Sequence, residues 1–125
     1  MVQDDLARDR SAGVLAPEAA ELAANAVHGL GNVKQVRGDY AGAIESYRLA
    51  TSLMPGQFYS WHDMFLCYWE LAKRGDLELE PMRHALERFK ETGAGRPGLG
   101  AQYVGQLEAI LRTYEEGSAG KSASA

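Results

Sequence analysis

Apolar residues recur at helical spacing along most of this chain, and glycine or proline interrupts the pattern at intervals. The first helix is predicted over residues 17–37, because its leading proline suits a first helical turn. It ends at Gly38, which can adopt the left-handed conformation that terminates helices. Asp39 can cap a second helix, and Pro55 with Gly56 ends that helix.

The third helix is predicted over residues 57–74 and is apolar on nearly every side, as in an element packed between neighbours. Pro81 is predicted to begin a fourth helix after a longer loop, and a glycine-rich turn over residues 93–98 follows that helix. A fifth helix, ending near Glu116, carries an amphipathic stripe. The stripe consists of Tyr103, Leu107, Ile110, Leu111 and Tyr114. This order of elements predicts an all-α fold.

Length and the distribution of small polar residues predict one folded domain with flexible ends. At 125 residues the chain can build a single modest core, which we place in residues 17–116. Residues 1–16 are predicted to be a flexible segment, with a short frayed helix over residues 2–10 as the alternative. Residues 117–125 are small and polar, so we expect a disordered tail there.

Two stretches of the chain align when one is shifted by 34 residues. The first contains, in order, Val27-x-x-Leu30-Gly31-x-x-Lys34, Gly38-Asp39-Tyr40, Ala43-x-x-x-Tyr47, Ala50 and Pro55. The second contains, in order, Trp61-x-x-Met64-Phe65-x-x-Tyr68, Gly75-Asp76-Leu77 and Ala85-x-x-x-Phe89. Both resemble the tetratricopeptide repeat, whose pattern runs W-x2-L-G-x2-Y, A-x3-F and P. The second stretch departs from it, since Phe65 stands at the small position and a longer loop precedes Ala85.

The resemblance implies a right-handed superhelix of two tetratricopeptide-like α-hairpins, with the fifth helix as a C-terminal cap. Gly31 and Ala43 would let the helices of the first hairpin pack closely. It also implies a non-catalytic adaptor or scaffold module that binds a protein or peptide segment in a concave groove. The first helix of each hairpin lines that groove. By resemblance, the groove residues are Asn25, His28, Asn32, Gln35, Tyr59, His62, Asp63, Leu66, Trp69 and Glu70.

Two interpretations of these residues give the groove no catalytic or metal-binding role. In the first, Tyr59 and Trp69 supply apolar contact while Asn32 and Gln35 bind a peptide backbone. In the second, the fifth helix or the N-terminal segment fills the groove, and its residues are structural.

A third interpretation assigns a metal or acid–base site to His28, His62 and Asp63. The remaining histidine, His84, lies far away in the repeat pattern, and no nucleophile, base and oxyanion donor converge. We therefore expect no catalytic activity, metal or cofactor. Gly93, Gly95 and Gly98 match a dinucleotide-binding motif by letter, but they follow a predicted helix with no strand before it, which indicates an ordinary loop.

Composition limits the classes of binding partner and the cellular compartment that we expect for this chain. The net charge of −4 argues against nucleic acid or an anionic membrane as the main partner. Cys67, the only cysteine, lies in an apolar run and is predicted to be a buried, inert thiol. The sequence shows no signal peptide and no membrane span, so we expect a cytoplasmic protein.

Self-association is the alternative function that the sequence leaves open. A solenoid of only two repeats has apolar ends, and pairing two copies would bury them. The chain would then be a structural module that functions as a homodimer.

Overall fold

The computed structural model describes residues 16–94 and 100–124, and these ranges form five helices and no strand. The helices are α1 (Pro17–Val36), α2 (Tyr40–Leu53), α3 (Phe58–Lys73), α4 (Leu79–Gly93) and α5 (Ala101–Ser124). The predicted all-α class is confirmed. The segment predicted to be flexible lies outside the described residues except for Ala16, as does the glycine-rich turn beyond Ala94.

The junction between α1 and α2 follows the local chemistry predicted for it. Gly38 has a φ angle of +82°, the left-handed conformation that side chains with a Cβ rarely adopt. Asp39 then caps α2, because its carboxylate accepts a hydrogen bond of 3.0 Å from the backbone N–H of Gly42. These two residues turn the chain sharply and lay α2 back against α1.

A close contact between Gly31 and Tyr47 holds α1 against α2. Both residues are buried, and a Cβ added at Gly31 would lie 2.6 Å from Cε1 of the Tyr47 ring. Any side chain at this position would therefore push the ring or the helix away. Ala43, on the facing helix, is also completely buried. The predicted close packing at the two small residues is confirmed.

The second hairpin differs from the prediction at its loop. Gly75, with a φ angle of +92°, follows the end of α3, and α4 begins at Leu79 instead of Pro81. Pro81 is thus the third residue of the helix. The first four backbone N–H groups of a helix have no partner inside it, so proline is tolerated there and does not mark the start.

Helix α5 also extends further than predicted. The sequence places its end near Glu116, followed by a disordered tail over residues 117–125, whereas the helix continues to Ser124. The added residues include glycine, alanine, serine and lysine but no proline. Each further residue adds one backbone hydrogen bond to a helix that already exists, so weak helix formers can prolong it.

The helices pack in chain order, each against the next. Their shared core consists of Ala43, Ile44, Tyr47, Met64, Phe65, Cys67, Tyr68, Met82, Ala85, Leu86, Phe89, Leu107 and Leu111. Cys67 is completely buried, and burial raises the pKa of its thiol to about 12, which confirms the predicted buried thiol. No helix in the described part of the chain is long and apolar enough to cross a membrane.

Candidate partner-binding groove

Side chains of α1 and α3 meet at positions that the 34-residue shift makes equivalent. The Tyr59 hydroxyl donates a hydrogen bond of 2.7 Å to Oδ1 of Asn25, which stands 34 positions before it. The His28 ring lies edge-on to the Tyr59 ring, with 4.8 Å between their centroids. The predicted groove residues of the two helices are therefore neighbours in space.

A hydrogen-bond network fills the space between the N-terminal part of α3 and α1. Gln57 donates from Nε2 to Asn25 at 2.9 Å and to the Tyr59 hydroxyl at 2.7 Å. Ser60, which is completely buried, donates to Oε1 of Gln57 at 2.6 Å. The Ser60 hydroxyl also shares a hydrogen bond of 2.8 Å with Nδ1 of His28. These polar groups thus have hydrogen-bond partners within the protein.

Asp63 joins the two histidines at the end of this network. Its Oδ2 lies 3.4 Å from Nε2 of His28, and its Oδ1 accepts a hydrogen bond of 3.0 Å from Nδ1 of His62. The other ring nitrogen of His62 accepts from the hydroxyl of Tyr103, on α5. Tyr103 of the fifth helix thereby contacts α3 at this part of the predicted groove.

Burial shifts the pKa values of two side chains in this network, His28 and Tyr103. Desolvation lowers the pKa of His28 below its ordinary value of 6.5, and the nearby Asp63 carboxylate offsets part of that effect. Burial also raises the pKa of Tyr103, and the negative charge of Asp63 raises it further. Both shifts favour the neutral forms of these two side chains, and the Tyr103 hydroxyl keeps the proton that it donates to His62. We call this region the closed half of the groove: Asn25, His28, Gln57, Tyr59, Ser60, His62, Asp63 and Tyr103.

The C-terminal parts of α1 and α3 enclose a cavity of about 410 Å³ that opens to solvent. We call this region the open half of the groove. It is lined by Asn32, Gln35, Val36, Tyr40, Leu66, Trp69 and Glu70. Both apolar and polar side chains line it, so it can accept both an apolar side chain and a peptide backbone.

Tyr47 contacts the two amides of the open half. Its hydroxyl lies 2.7 Å from Oδ1 of Asn32 and 2.7 Å from Oε1 of Gln35, and because a phenol carries one proton it donates to only one of these oxygens at a time. The amide nitrogens make no hydrogen bond to the described part of the protein. The N–H groups of the two amides are thus available at the cavity.

The opposite wall is aromatic and acidic. Trp69 and Leu66 are partly buried and pack against the core. The Lys73 ammonium lies 4.5 Å above the Trp69 ring and 2.7 Å from Oε1 of Glu70. Because this ion pair is near the surface, a basic ligand can compete for the Glu70 carboxylate at small cost.

The structure divides the ten predicted groove residues between these two halves. Asn25, His28, Tyr59, His62 and Asp63 lie in the closed half, and Asn32, Gln35, Leu66, Trp69 and Glu70 lie in the open half. The prediction did not include Gln57, which directly precedes α3, or Ser60, in the first turn of α3, nor did it include Tyr103, which lies on α5. It also missed Val36, one turn beyond Asn32, a spacing that the helical period could have revealed.

His28, His62 and Asp63 lie close together, but they contact one another as hydrogen-bonded neighbours. Among the described residues, no group of three or more His, Cys, Asp or Glu side chains could hold a metal ion. His84 lies elsewhere, on α4, with its ring 5.5 Å from that of Trp61. Comparisons of the chain with protein-family models, with curated proteins and with solved structures found no match.

Proposed function

We propose that this protein is a non-catalytic interaction module that binds an extended segment of a partner protein in the open half of the groove. The observation that carries the proposal is the cavity of about 410 Å³, which the side-chain amides of Asn32 and Gln35 line together with Trp69 and Glu70. Concave sites with apolar walls and a few oriented polar groups are typical of ligand recognition. The tetratricopeptide-like arrangement of the hairpins and a cytoplasmic location are parts of the same proposal.

The chemistry of the cavity defines the kind of segment that it would bind. The amide nitrogens of Asn32 and Gln35 can donate to backbone carbonyl groups of an extended peptide. Trp69 offers a flat apolar surface for one side chain. Glu70 and the net charge of −4 favour a basic residue beside that side chain. The preferred ligand is therefore an extended peptide with an apolar residue next to lysine or arginine.

The two tryptophans of α3 provide a matched experiment. Trp69 lines the open half, whereas Trp61 lies on another face of the same helix, where its indole N–H donates to the carbonyl oxygen of Pro55 at 2.9 Å. The probes are labelled peptides of about ten residues that contain lysine beside leucine, and counterparts with glutamate in place of lysine. Binding is measured by fluorescence anisotropy.

We expect the basic peptides to bind with a Kd of about 1–100 µM and the acidic ones at least about tenfold more weakly. Trp69→Ala should weaken binding of the basic peptides at least about tenfold, and Trp61→Ala should leave it within about twofold. Circular dichroism should show the same helix content in both variants. Equal binding of both peptide sets, or equal losses in both variants, would refute the groove as the binding site.

A further inference from the structure

A continuous apolar stripe runs along the outer face of α1, opposite the face that packs on α2. Leu22 is 72% exposed and Val36 is 89% exposed, and Leu30 borders the stripe with 51% exposure. Helix α1 thus carries four of the eight large apolar side chains that are exposed in the described part of the chain. Such a concentration is unusual for a surface that faces water alone. The stripe consists of Ala19, Leu22, Ala26, Gly29, Val33 and Val36, all of them exposed.

The spacing of the stripe is that of a helix that pairs with another helix. Its members follow one another in alternating steps of three and four residues, the repeat that keeps apolar positions along one seam. On the opposite side of α1, Ala24 and Gly31 are buried in the domain. The stripe is therefore a second packing surface and not part of the existing core.

The stripe is complementary to itself when two copies of α1 run antiparallel. With the two-fold axis midway between Ala26 and Gly29, each Ala26 faces Gly29 of the other copy. These small residues let the two backbones approach closely at the centre. Leu22 then faces Val33 on either side of the centre, so symmetry makes both ends of the seam equally wide. A parallel pair would instead set leucine against leucine at one end and valine against valine at the other, and the seam would be unevenly filled.

Charge at the two ends of the stripe points to the same orientation. Glu18 directly precedes the stripe and Arg37 directly follows it; both are exposed, and neither forms an ion pair with another described residue. Antiparallel pairing brings the acidic end of one helix level with the basic end of the other. Parallel pairing would bring like charges together at both ends.

We infer that the outer face of α1 is an isologous interface between two copies of this chain, paired antiparallel. This interface borders the open half of the groove and shares Val36 with it, but the argument for it does not depend on the function proposed for the groove. A stable dimer requires the full length of the helix to take part, because standard interfaces bury roughly 800 Å² on each partner.

The full-length chain is the test material, and sedimentation equilibrium over about 1–300 µM gives its mass. The wild type should be a dimer in the upper part of this range. Val33→Glu places a carboxylate within the seam, opposite the leucine of the other copy, and should weaken dimerisation at least about a hundredfold. Leu49→Glu is the control, since Leu49 is apolar and 51% exposed, close to the 47% of Val33, but lies on α2.

Charge exchange tests the orientation separately. Glu18→Lys alone and Arg37→Glu alone should each weaken dimerisation about threefold to tenfold. An equimolar mixture of the two variants should recover wild-type dimerisation, because antiparallel pairing then sets lysine level with glutamate at one end and restores the native pair at the other. Trp69→Ala should remain dimeric, which separates this interface from the groove.

Three results would overturn the inference. If the chain stayed monomeric throughout the concentration range, the stripe would not be a dimer interface. The candidates for its binding partner would then be residues 1–15 or a different protein. Equal losses in Val33→Glu and Leu49→Glu would place the interface elsewhere. A mixture of charge variants no more dimeric than either alone would rule out the antiparallel arrangement.

Discussion

The two halves of the groove contain similar residues and use them differently. In the closed half, Asn25 and His28 are occupied by hydrogen bonds to α3 and the residue that precedes it. In the open half, Asn32 and Gln35 line a cavity, and their amide nitrogens make no hydrogen bond to the described part of the protein. All four amide and imidazole side chains lie on the same helix at groove spacing. Position on a helix thus determines which way a polar group points, and the neighbouring elements determine whether it is available to a ligand.

The two halves differ because different side chains lie opposite α1 in each of them. Gln57 and Ser60 face the middle of α1 with buried polar groups that need partners, and Tyr103 bonds to His62. Leu66 and Trp69 face the C-terminal part with apolar surface, which offers no hydrogen bond to an amide. The closed half is therefore expected to contribute to stability and the open half to binding.

The largest effect on stability is expected for Ser60→Ala in the closed half. The substitution removes a hydroxyl that is completely buried and bonded to both Gln57 and His28. Two buried polar groups lose their partner, so the free energy of unfolding should fall by about 1–3 kcal/mol. Urea denaturation measures this change.

Ser52→Ala is the matched control for that substitution. Ser52 is exposed, and its hydroxyl bonds only to the carbonyl oxygen of Leu49 in its own helix. Its stability change should stay within about 0.5 kcal/mol. If both serine variants lost the same stability, the closed half would not be the cooperative network described above.

A smaller, pH-dependent effect is expected at His28. Because its pKa is lower in the folded protein than in the unfolded chain, the unfolded state binds the proton more readily. The stabilisation is therefore present above about pH 6.5 and is lost as the pH falls through and below that value. The ionisable groups that face the ring are Asp63 and Tyr59 on α3 and Tyr47 on α2.

His28→Gln should flatten the dependence of the urea midpoint on pH between about pH 7.5 and pH 5. His84→Gln provides the comparison, because His84 is exposed on α4 and makes no contact with the closed half. An unchanged pH profile in His28→Gln would show that another group accounts for acid sensitivity.

The smallest effect on stability is expected for Glu70→Gln in the open half. The substitution removes a surface ion pair with Lys73, so the free energy of unfolding should change by less than about 0.5 kcal/mol. Binding of the basic peptides should nevertheless weaken about threefold to tenfold, and binding of neutral analogues should not change. A loss of stability comparable to that of Ser60→Ala would show that the two halves do not differ as proposed.

The sequence predicted the parts of this structure that depend on local chemistry. Gly38 and Asp39 marked the first turn, and the 34-residue shift brought Asn25 and Tyr59 together as equivalent positions. The contact between His62 and Tyr103 was not predictable in the same way, because it joins α3 to a helix outside the repeat pattern. Repeat spacing assigns positions within the hairpins, whereas the docking of the last helix depends on tertiary packing.

The two helix boundaries that the sequence predicts wrongly share one cause. Pro81 does not begin α4 and Glu116 does not end α5, because a helix tolerates proline within its first turn and small polar residues near its end. Both errors come from treating a residue preference as a strict limit. The interior of each helix, where apolar periodicity is strong, is placed correctly.

The complete burial of Cys67 also affects how this protein can be studied. The thiolate is the form that reacts with thiol reagents and oxidants, and a thiol with a pKa of about 12 is almost entirely protonated at neutral pH. Since this is the only cysteine in the chain, one introduced on the surface would be the sole reactive thiol. Fluorophores or spin labels could then be attached at a single chosen site, such as the rim of the open half, without replacing the native residue.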